Sequence, residues 1–381
     1  MTGVYWLEEA ASPKYATSRR RVRSPDVEII GGGVTGCSCA LALARAGAAV
    51  RLHEAREIAG GASGRNGGFA LRGGAMPYDL ARRQLGVERA HSLWRLTERA
   101  LEHVAELAGD AFRRVGSLRL AADDAERDEL RREYEALTAD GLAAEWHDRL
   151  SSPLAGRYLG AVRHPTDGSL HPARWVRRLA RLAAAQGAEL REASRVRSLD
   201  ELVAEQVVIA TDGYTAGLVP ELDAAITPTR GQVLVTKPLE RRLFGCPHYA
   251  RRGFDYWQQT ADGRLVLGGR RDVSLETEET AEEETNPVIQ AELERFAAEL
   301  LGRPPEVTHR WSGIFGITQD RLPLVGPVPG QSGLWVACGY SGHGNVLGFA
   351  CGELVAAAIT GKPKPELELF EPARVIEVEL R

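Results

Sequence analysis

Three glycines, Gly31, Gly33 and Gly36, stand in the run Asp26-Val-Glu-Ile-Ile-Gly-Gly-Gly-Val-Thr-Gly36 at the spacing G-x-G-x-x-G. Glycines so spaced let a strand turn tightly into a helix whose N-terminus faces a phosphate. Gly31 is expected to make the turn, Gly33 to admit a pyrophosphate against bare backbone, and Gly36 to let helix and strand pack closely. The spacing alone leaves open a nicotinamide dinucleotide, a flavin dinucleotide or a turn that binds nothing.

The elements around the glycines narrow this. Residues 27–30 read as a short apolar strand interrupted by Glu28, 34–46 as a helix closed by Gly47, and 49–54 as a second strand. This is a βαβ unit with its glycines at the strand-to-helix turn. Glu54 ends the second strand, where a carboxylate receives ribose hydroxyls and repels a 2′-phosphate. Regular βαβ repeats then stop. Residues 77–150 read as helices, for example 87–107 and 125–139, with a strand at 117–121. An amphipathic helix follows Asp167-Gly-Ser-Leu-His-Pro172, with Trp175, Val176, Leu179 and Leu182 on one side and arginines on the other. The strand at 207–211 enters a second backbone turn at Asp212-Gly213.

Residues 232–236, 254–259 and 264–268 read as strands of an antiparallel sheet in a second domain. The strand at 333–339 leads into Tyr340-Ser-Gly-His-Gly-Asn345 and a helix over 345–359. In that helix Gly344, Gly348 and Gly352 recur every four residues, the pattern of close internal packing.

Composition bounds the rest. The chain has 381 residues, 44% apolar, with a net charge of -4 and 41 glycines, which fits two interleaved domains with many tight turns. The runs Arg19-Arg20-Arg21 and Arg174 to Arg181 read as a loop and a solvated helix face rather than a nucleic-acid site, because acidic residues slightly outnumber basic ones. The Glu276 to Glu284 run gets the same solvated reading. Five cysteines without metal-ligand spacing read as buried thiols in a reducing compartment. No segment reaches the roughly 18 apolar residues of a membrane helix, and the first ten residues lack a signal-peptide pattern. A cytoplasmic location is the expectation.

Four glycine-bearing segments occur in order: the first turn, the loop Gly60-Gly-Ala-Ser-Gly-Arg-Asn-Gly-Gly68, Val208-Ile-Ala-Thr-Asp-Gly213 and Gly339-Tyr-Ser-Gly-His-Gly-Asn345. Together they resemble the FAD-dependent D-amino-acid oxidase superfamily over nearly the whole chain. Tyr5-Trp-Leu-Glu, the 60–68 loop and Thr318-Gln-Asp-Arg-Leu-Pro-Leu-Val-Gly326 most resemble the branch containing gamma-glutamylputrescine oxidase. The resemblance implies an α/β fold, with a Rossmann-like FAD-binding domain (24–75, 155–225 and 310–372) interleaved with a smaller antiparallel-sheet substrate domain (76–154 and 226–309). It implies that Gly31, Gly33, Val34, Thr35 and Gly36 take the pyrophosphate and Glu54, Ala55 and Arg56 the adenosine ribose. Gly61, Ala62, Ser63, Asn66, Gly67 and Gly68 would run along phosphate and flavin, and Val196, Thr211, Asp212, Gly213 and Gly316 would complete the cradle. Gly342, Gly344, Asn345 and Val346 would lie by the pyrimidine end of the flavin, where a helix N-terminus stabilises the charge of reduction.

Departures from the family narrow the substrate. Where relatives place a carboxylate-binding arginine this strand has Phe315, and where sarcosine oxidase has a lysine this chain has Val346. Arg72 or Arg65 remain as substitutes. The covalent-flavin cysteine position falls near Gly313, so FAD is expected to be non-covalent. The lysine linked to oxygen activation is replaced by Val266. The resulting expectation is a flavoenzyme that oxidises a primary or secondary amine lacking a neighbouring carboxylate. Hydride would pass to the flavin, the imine would be hydrolysed, and dioxygen or another acceptor would take the electrons. Tyr256, Trp257, Phe315 and Tyr340 are candidates for the wall of an apolar pocket that lowers the amine's pKa, with core packing an equal reading for Trp257. Tyr256 would orient the substrate, and His343 is a loop residue with a structural or proton-transfer role. The rivals are an amino-acid oxidase or dehydrogenase, an electron-transferring FAD subunit and an NAD-dependent dehydrogenase.

Overall fold

The computed structural model describes residues 3–10 and 22–376; the Arg19-Arg20-Arg21 run lies outside them. The strand Val27–Ile30 is buried at every position because it sits inside a six-stranded sheet. The order is Leu324–Pro327, Leu334–Cys338, Gln206–Ile209, Val27–Ile30, Val50–His53, Glu189–Arg191. Five strands are parallel and Leu324–Pro327 is an antiparallel edge. Glu28 is tolerated in the buried strand because Arg51 (2.9 Å) and His53 (3.1 Å) meet its carboxylate, as do the N-H groups of Val203 and Ala204. Burial raises its pKa, and these backbone and side-chain donors outweigh that and bring it down to about 2.

Helices Val34–Arg45, Pro172–Ala185 and Gly344–Ile359 pack on one another beside this sheet. A Cβ on Gly352 would lie 2.5 Å from the Thr35 carbonyl oxygen and 2.9 Å from the Cys39 nitrogen, so the glycines of the last helix set how closely it meets the first. This is the internal packing expected of their spacing.

The second sheet has eight strands, in the order Val307–Ile317, Thr227–Pro238, Arg264–Gly269, Asp255–Gln259, His248–Ala250, Ser117–Leu120, Ala161–His164, Glu145–His147. It departs from the antiparallel expectation at one seam, where His248–Ala250 runs parallel to Ser117–Leu120. The two strands come from separate chain segments, so no hairpin constrains their direction. Strands Ala161–His164 and Val307–Ile317 also pair into this sheet. Within 77–150 the helices are Tyr78–Leu85, Val87–Ala108 and Asp124–Ala139, and the short strands Phe112–Arg113 and Glu145–His147 were hidden among them. Phe112–Arg113, Gly168–Leu170 and Phe69–Ala70 form a third, small sheet.

Two solvated readings are overturned. Arg177, on the expected polar face of its helix, is 3% exposed and donates to the Leu7 and Ala10 carbonyls and to Glu57. Glu278, in the acidic run, is fully buried and paired with Arg230 at 2.8 Å. Periodicity cannot detect either, because each charge is matched by a partner distant in sequence. Among the described residues no helix is long and apolar enough to cross a membrane.

Candidate active site

The glycine turn opens onto a cavity of about 980 Å³, at the upper end of the roughly 300 to 1,000 Å³ of small-molecule sites. Gly31 adopts φ +113°, and a Cβ there would lie 2.4 Å from the Ala210 carbonyl oxygen. A Cβ on Gly36 would lie 2.0 Å from the Gly31 carbonyl oxygen, so helix and strand meet only because it is absent. The helix Val34–Arg45 starts at Gly33 with no side-chain cap. Ser63 Oγ accepts the Val34 N-H at 3.0 Å, while the turn as a whole leaves helix N-H groups facing the cavity for an anion.

Glu54 is buried at the end of the second strand. Its carboxylate accepts the Gly32 N-H at 2.7 Å and the Arg56 N-H at 2.8 Å, so it also clamps the turn. Ala55, Arg56 and Val196 continue the cavity wall. Gly61, Ala62, Ser63, Asn66 and Gly67 line the middle, held from behind. Trp6 Nε1 donates to the Asn66 carbonyl at 2.8 Å, and Gln258 Nε2 donates to the Gly67 and Gly68 carbonyls at 2.6 and 2.7 Å. Trp6 of the sequence motif is thus a brace for this loop, while the Tyr5 hydroxyl donates to Asp262.

Asp212, at φ +50°, accepts N-H groups of Gly339 (2.8 Å) and Gly316 (3.0 Å). It fastens three cavity-lining segments together, and burial raises its pKa against those N-H bonds. Thr211 and Gly213 line the cavity beside it, as do Gly342, Gly344, Asn345 and Val346. Gly36, Gly68 and Gly316 do not line it. Gly36 packs, Gly68 sits behind Gln258, and Gly316 is bound to Asp212.

The far end of the cavity is aromatic, with Phe69, Tyr249, Tyr256, Phe315 and His343. Burial pushes the Tyr249 phenol up to about 12 and raises Tyr256 further, so both are neutral donors at neutral pH. Burial first, then Arg119, lowers His343 to about 4, and its Nδ1 has no partner among the described residues. Tyr340 lines the cavity as expected, with its hydroxyl turned to a structural use. Its hydroxyl donates to the Ala337 carbonyl at 3.1 Å and meets Thr35 Oγ1 at 3.0 Å, making it a strut between the first and last helices. Trp257 is a core residue, fully buried and stacked on His248.

Arg72 is outside the cavity, paired with Glu98 at 2.7 Å. Arg65 lines it but pairs with Glu283 at 3.1 Å, a carboxylate that also holds Arg56 at 2.7 Å and Tyr214. The acidic run therefore reaches the cavity. Two further cations at the aromatic end went unseen in the sequence, Arg271 and Arg321. The expected wall is not purely apolar. Arg271 belongs to a turn outside the quoted motifs, and Arg321 lies in the Thr318 to Gly326 segment, whose spacing does not show that it faces the cavity.

These features suit a flavin dinucleotide: an uncapped helix N-terminus, a cradle that any Cβ would fill, and a buried carboxylate at the second strand's end. No cysteine lines the cavity, and no cluster of metal-ligating residues occurs among the described residues.

Residues 26–358 match the family model for FAD dependent oxidoreductases of the DAO type. The chain is 31% identical to a probable oxidoreductase OrdL of Rhizobium meliloti (strain 1021), over 93% of this chain and 87% of that one. It is 28% identical to the gamma-glutamylputrescine oxidoreductase of Escherichia coli (strain K12), over 88% and 84%. Its fold matches the crystal structure of glycine oxidase from Bacillus cereus ATCC 14579 with a TM-score of 0.75 at 21% identity, covering 94% of this chain and 100% of that one. An FAD cradle of this build, in a chain matched by the family model over most of its length, belongs to the DAO family of FAD-dependent oxidoreductases.

Proposed function

We propose that the protein oxidises the CH-NH bond of a small amine or amino acid. FAD, when bound, accepts the hydride from the carbon beside nitrogen and passes the electrons to dioxygen or another acceptor. The nitrogen loses a proton, and water converts the resulting imine to a carbonyl compound and the free amine or ammonia.

The observation that carries this reading is the continuity of the cavity, from the glycine turn at Gly31 to the chamber of Tyr249, Tyr256, Phe315 and His343. The residues at the dinucleotide end bind, and those at the aromatic end shape the site for the reacting carbon. A chamber whose phenols and imidazole are neutral and whose only charges among the described residues are arginines disfavours an ammonium ion, so it keeps a bound amine in the neutral form that can release hydride. Tyr256 orients the substrate, and the unpartnered His343 Nδ1 offers a further polar contact. Likeness to a gamma-glutamylputrescine oxidoreductase supports an amine as the group oxidised.

Val266 in place of a lysine supports an acceptor other than dioxygen as the second reading. Anaerobic bleaching of the flavin absorbance against amines, polyamines and amino acids tests the reaction. If none of them bleaches it, the reading fails. Re-oxidation in air with stoichiometric peroxide decides for an oxidase, and slow re-oxidation with fast dye reduction for a dehydrogenase.

A further inference from the structure

Arg251, Arg252 and Gly253 follow one another at φ +51°, +54° and +89°, in the loop that joins His248–Ala250 to Asp255–Gln259. The twist of a hairpin favours left-handed residues there, but glycine, asparagine or aspartate ordinarily supplies them, and two arginines in succession are strained. The strain lies at the aromatic chamber. Arg252, Gly253 and Phe254 all line the cavity, and Arg252 is also exposed to solvent, so the loop forms part of the rim.

Glu126 holds the loop in this shape. It is 4% exposed, and its carboxylate accepts the N-H groups of Arg252 at 2.6 Å, Arg251 at 3.2 Å and Ala122 at 2.9 Å. Among the described residues no cation forms an ion pair with it. A buried carboxylate is tolerated only where donors surround it, and here two of its donors are the strained residues themselves. Glu126 is fixed in turn by Asp123, which caps the helix Asp124–Ala139 by accepting the Glu126 N-H at 2.7 Å. One turn along that helix, Glu129 pairs with the Arg252 guanidinium at 2.9 Å.

The loop sets the chamber wall beyond it. The Phe254 carbonyl accepts the Arg270 N-H at 2.6 Å. The Arg271 guanidinium carbon lies 5.6 Å from the Phe254 ring centre and 5.9 Å from that of Phe315. Asp272 beside it is held by Arg251, so among the described residues Arg271 has no ion-pair partner, and the two rings place it. A change in the loop would therefore carry Phe254 and Arg271 with it, and Tyr256 follows two residues on.

We propose that Glu126, which does not itself line the cavity, is a positioning residue for substrate entry. By holding Arg251 and Arg252 left-handed it keeps the rim rigid, and a rigid rim selects amines by width. The substrate rests on the CH-NH reading above, whereas the state of the rim can be measured without any substrate.

Three measurements on the FAD-loaded protein decide. Hydrogen exchange over residues 249–256 reads the loop, acrylamide quenching of flavin fluorescence reads access for a small neutral molecule, and anaerobic bleaching compares slender butylamine with broad cyclohexylamine. Glu126→Gln should speed exchange of the Arg251 and Arg252 amides by about ten- to a hundredfold, as expected when a charge-assisted hydrogen bond is lost. It should also raise the quenching constant. Butylamine should half-saturate below cyclohexylamine in the unmodified protein, and Glu126→Gln should narrow that gap with less effect on the limiting rates.

A second pair of variants isolates the backbone. Arg252→Gly and Arg252→Val both remove the guanidinium and its pair with Glu129, but glycine enters the left-handed region freely and valine does not. Arg252→Val should therefore open the chamber to acrylamide more than Arg252→Gly, and Glu126→Gln should do less when added to Arg252→Gly than it does alone.

Faster exchange in Glu126→Gln with quenching and amine preference unmoved overturns the proposal, because the loop would then not govern the mouth. Equal quenching in Arg252→Gly and Arg252→Val also overturns it, and that contrast decides even if Glu126→Gln fails to retain FAD. If no amine bleaches the flavin while quenching follows the pattern above, the CH-NH reading falls and the role of Glu126 at the rim stands.

Discussion

The side-chain amides of Asn66 and Asn345, 279 positions apart, hydrogen-bond each other in both directions, at 3.1 and 3.0 Å. Asn345 also donates to the Phe69 carbonyl at 2.8 Å, and Asn66 accepts the Gly68 N-H at 2.8 Å. One pair thus locks the second glycine loop to the N-terminus of the last helix. Asn345→Asp keeps the shape and removes both donors, turning a carboxylate toward two oxygens. It should lower Tm by several degrees, in keeping with about 1 to 3 kcal/mol for acceptors left facing each other. The added negative charge at the helix start should also make the flavin harder to reduce, read as a lower midpoint potential.

Glu54→Gln should weaken FAD binding by about ten- to a hundredfold, the worth of a charge-assisted hydrogen bond. An amide has one acceptor end, so one of the two N-H groups now bound, of Gly32 or Arg56, would face a donor. Fluorescence titration of the apoprotein with FAD measures this. Unchanged affinity would mean that the ribose is held elsewhere.

FAD should be released by acid or heat and separate from the denatured chain, because no cysteine lines the cavity among the described residues. Cys338, on the neighbouring strand, is buried and accepts the Asp212 N-H at 3.2 Å. Flavin absorbance that stays with the precipitated polypeptide would contradict this.

Glu283 ties the acidic run to Arg56, Arg65 and Tyr214 across the cavity. Burial raises its pKa, but the bonds from Arg56 and Tyr214 and the charge of Arg65 bring it below the ordinary value. A carboxylate depressed in the folded state adds stability above its unfolded pKa of about 4.3 and loses it as pH falls through the lower, folded value. Glu283→Gln should therefore speed FAD release at pH 7, and the difference from the unmodified protein should vanish in acid below that range. A difference that persists undiminished there would assign the effect to packing.

Gly352→Ala should cost about 1 to 3 kcal/mol of stability, because the new methyl meets the backbone at Thr35 and Cys39, which cannot rotate away. Calorimetric unfolding of the holoprotein reads it directly.

How far the sequence carries the reader depends on the range of each interaction. The turn at Gly31, the helix over Val34–Arg45 and the glycine spacing of the last helix were legible because local geometry dictates them. The cofactor cradle was legible from ordered motifs. What stayed hidden was decided by partners far along the chain. Arg177 looks like a surface residue until the Leu7 and Ala10 carbonyls are brought to it. Tyr340 was legible as a pocket wall, but not the bond that Thr35 makes to its hydroxyl. Arg271 fell outside the reading because its significance is a missing partner, visible only once Asp272 is seen in the hands of Arg251.

The parallel seam between Ser117–Leu120 and His248–Ala250 bears on how the molecule comes into being. Neither large sheet can be completed by neighbours in sequence, since one waits for Val307–Ile317 and the other for Leu334–Cys338. As the chain leaves the ribosome, its first βαβ unit must persist for some three hundred residues before Gly339 arrives to be fastened by Asp212. Such late closure makes for slow folding with sticky unpaired strands, and so for a nascent chain that depends on chaperones and gains from early capture of its cofactor.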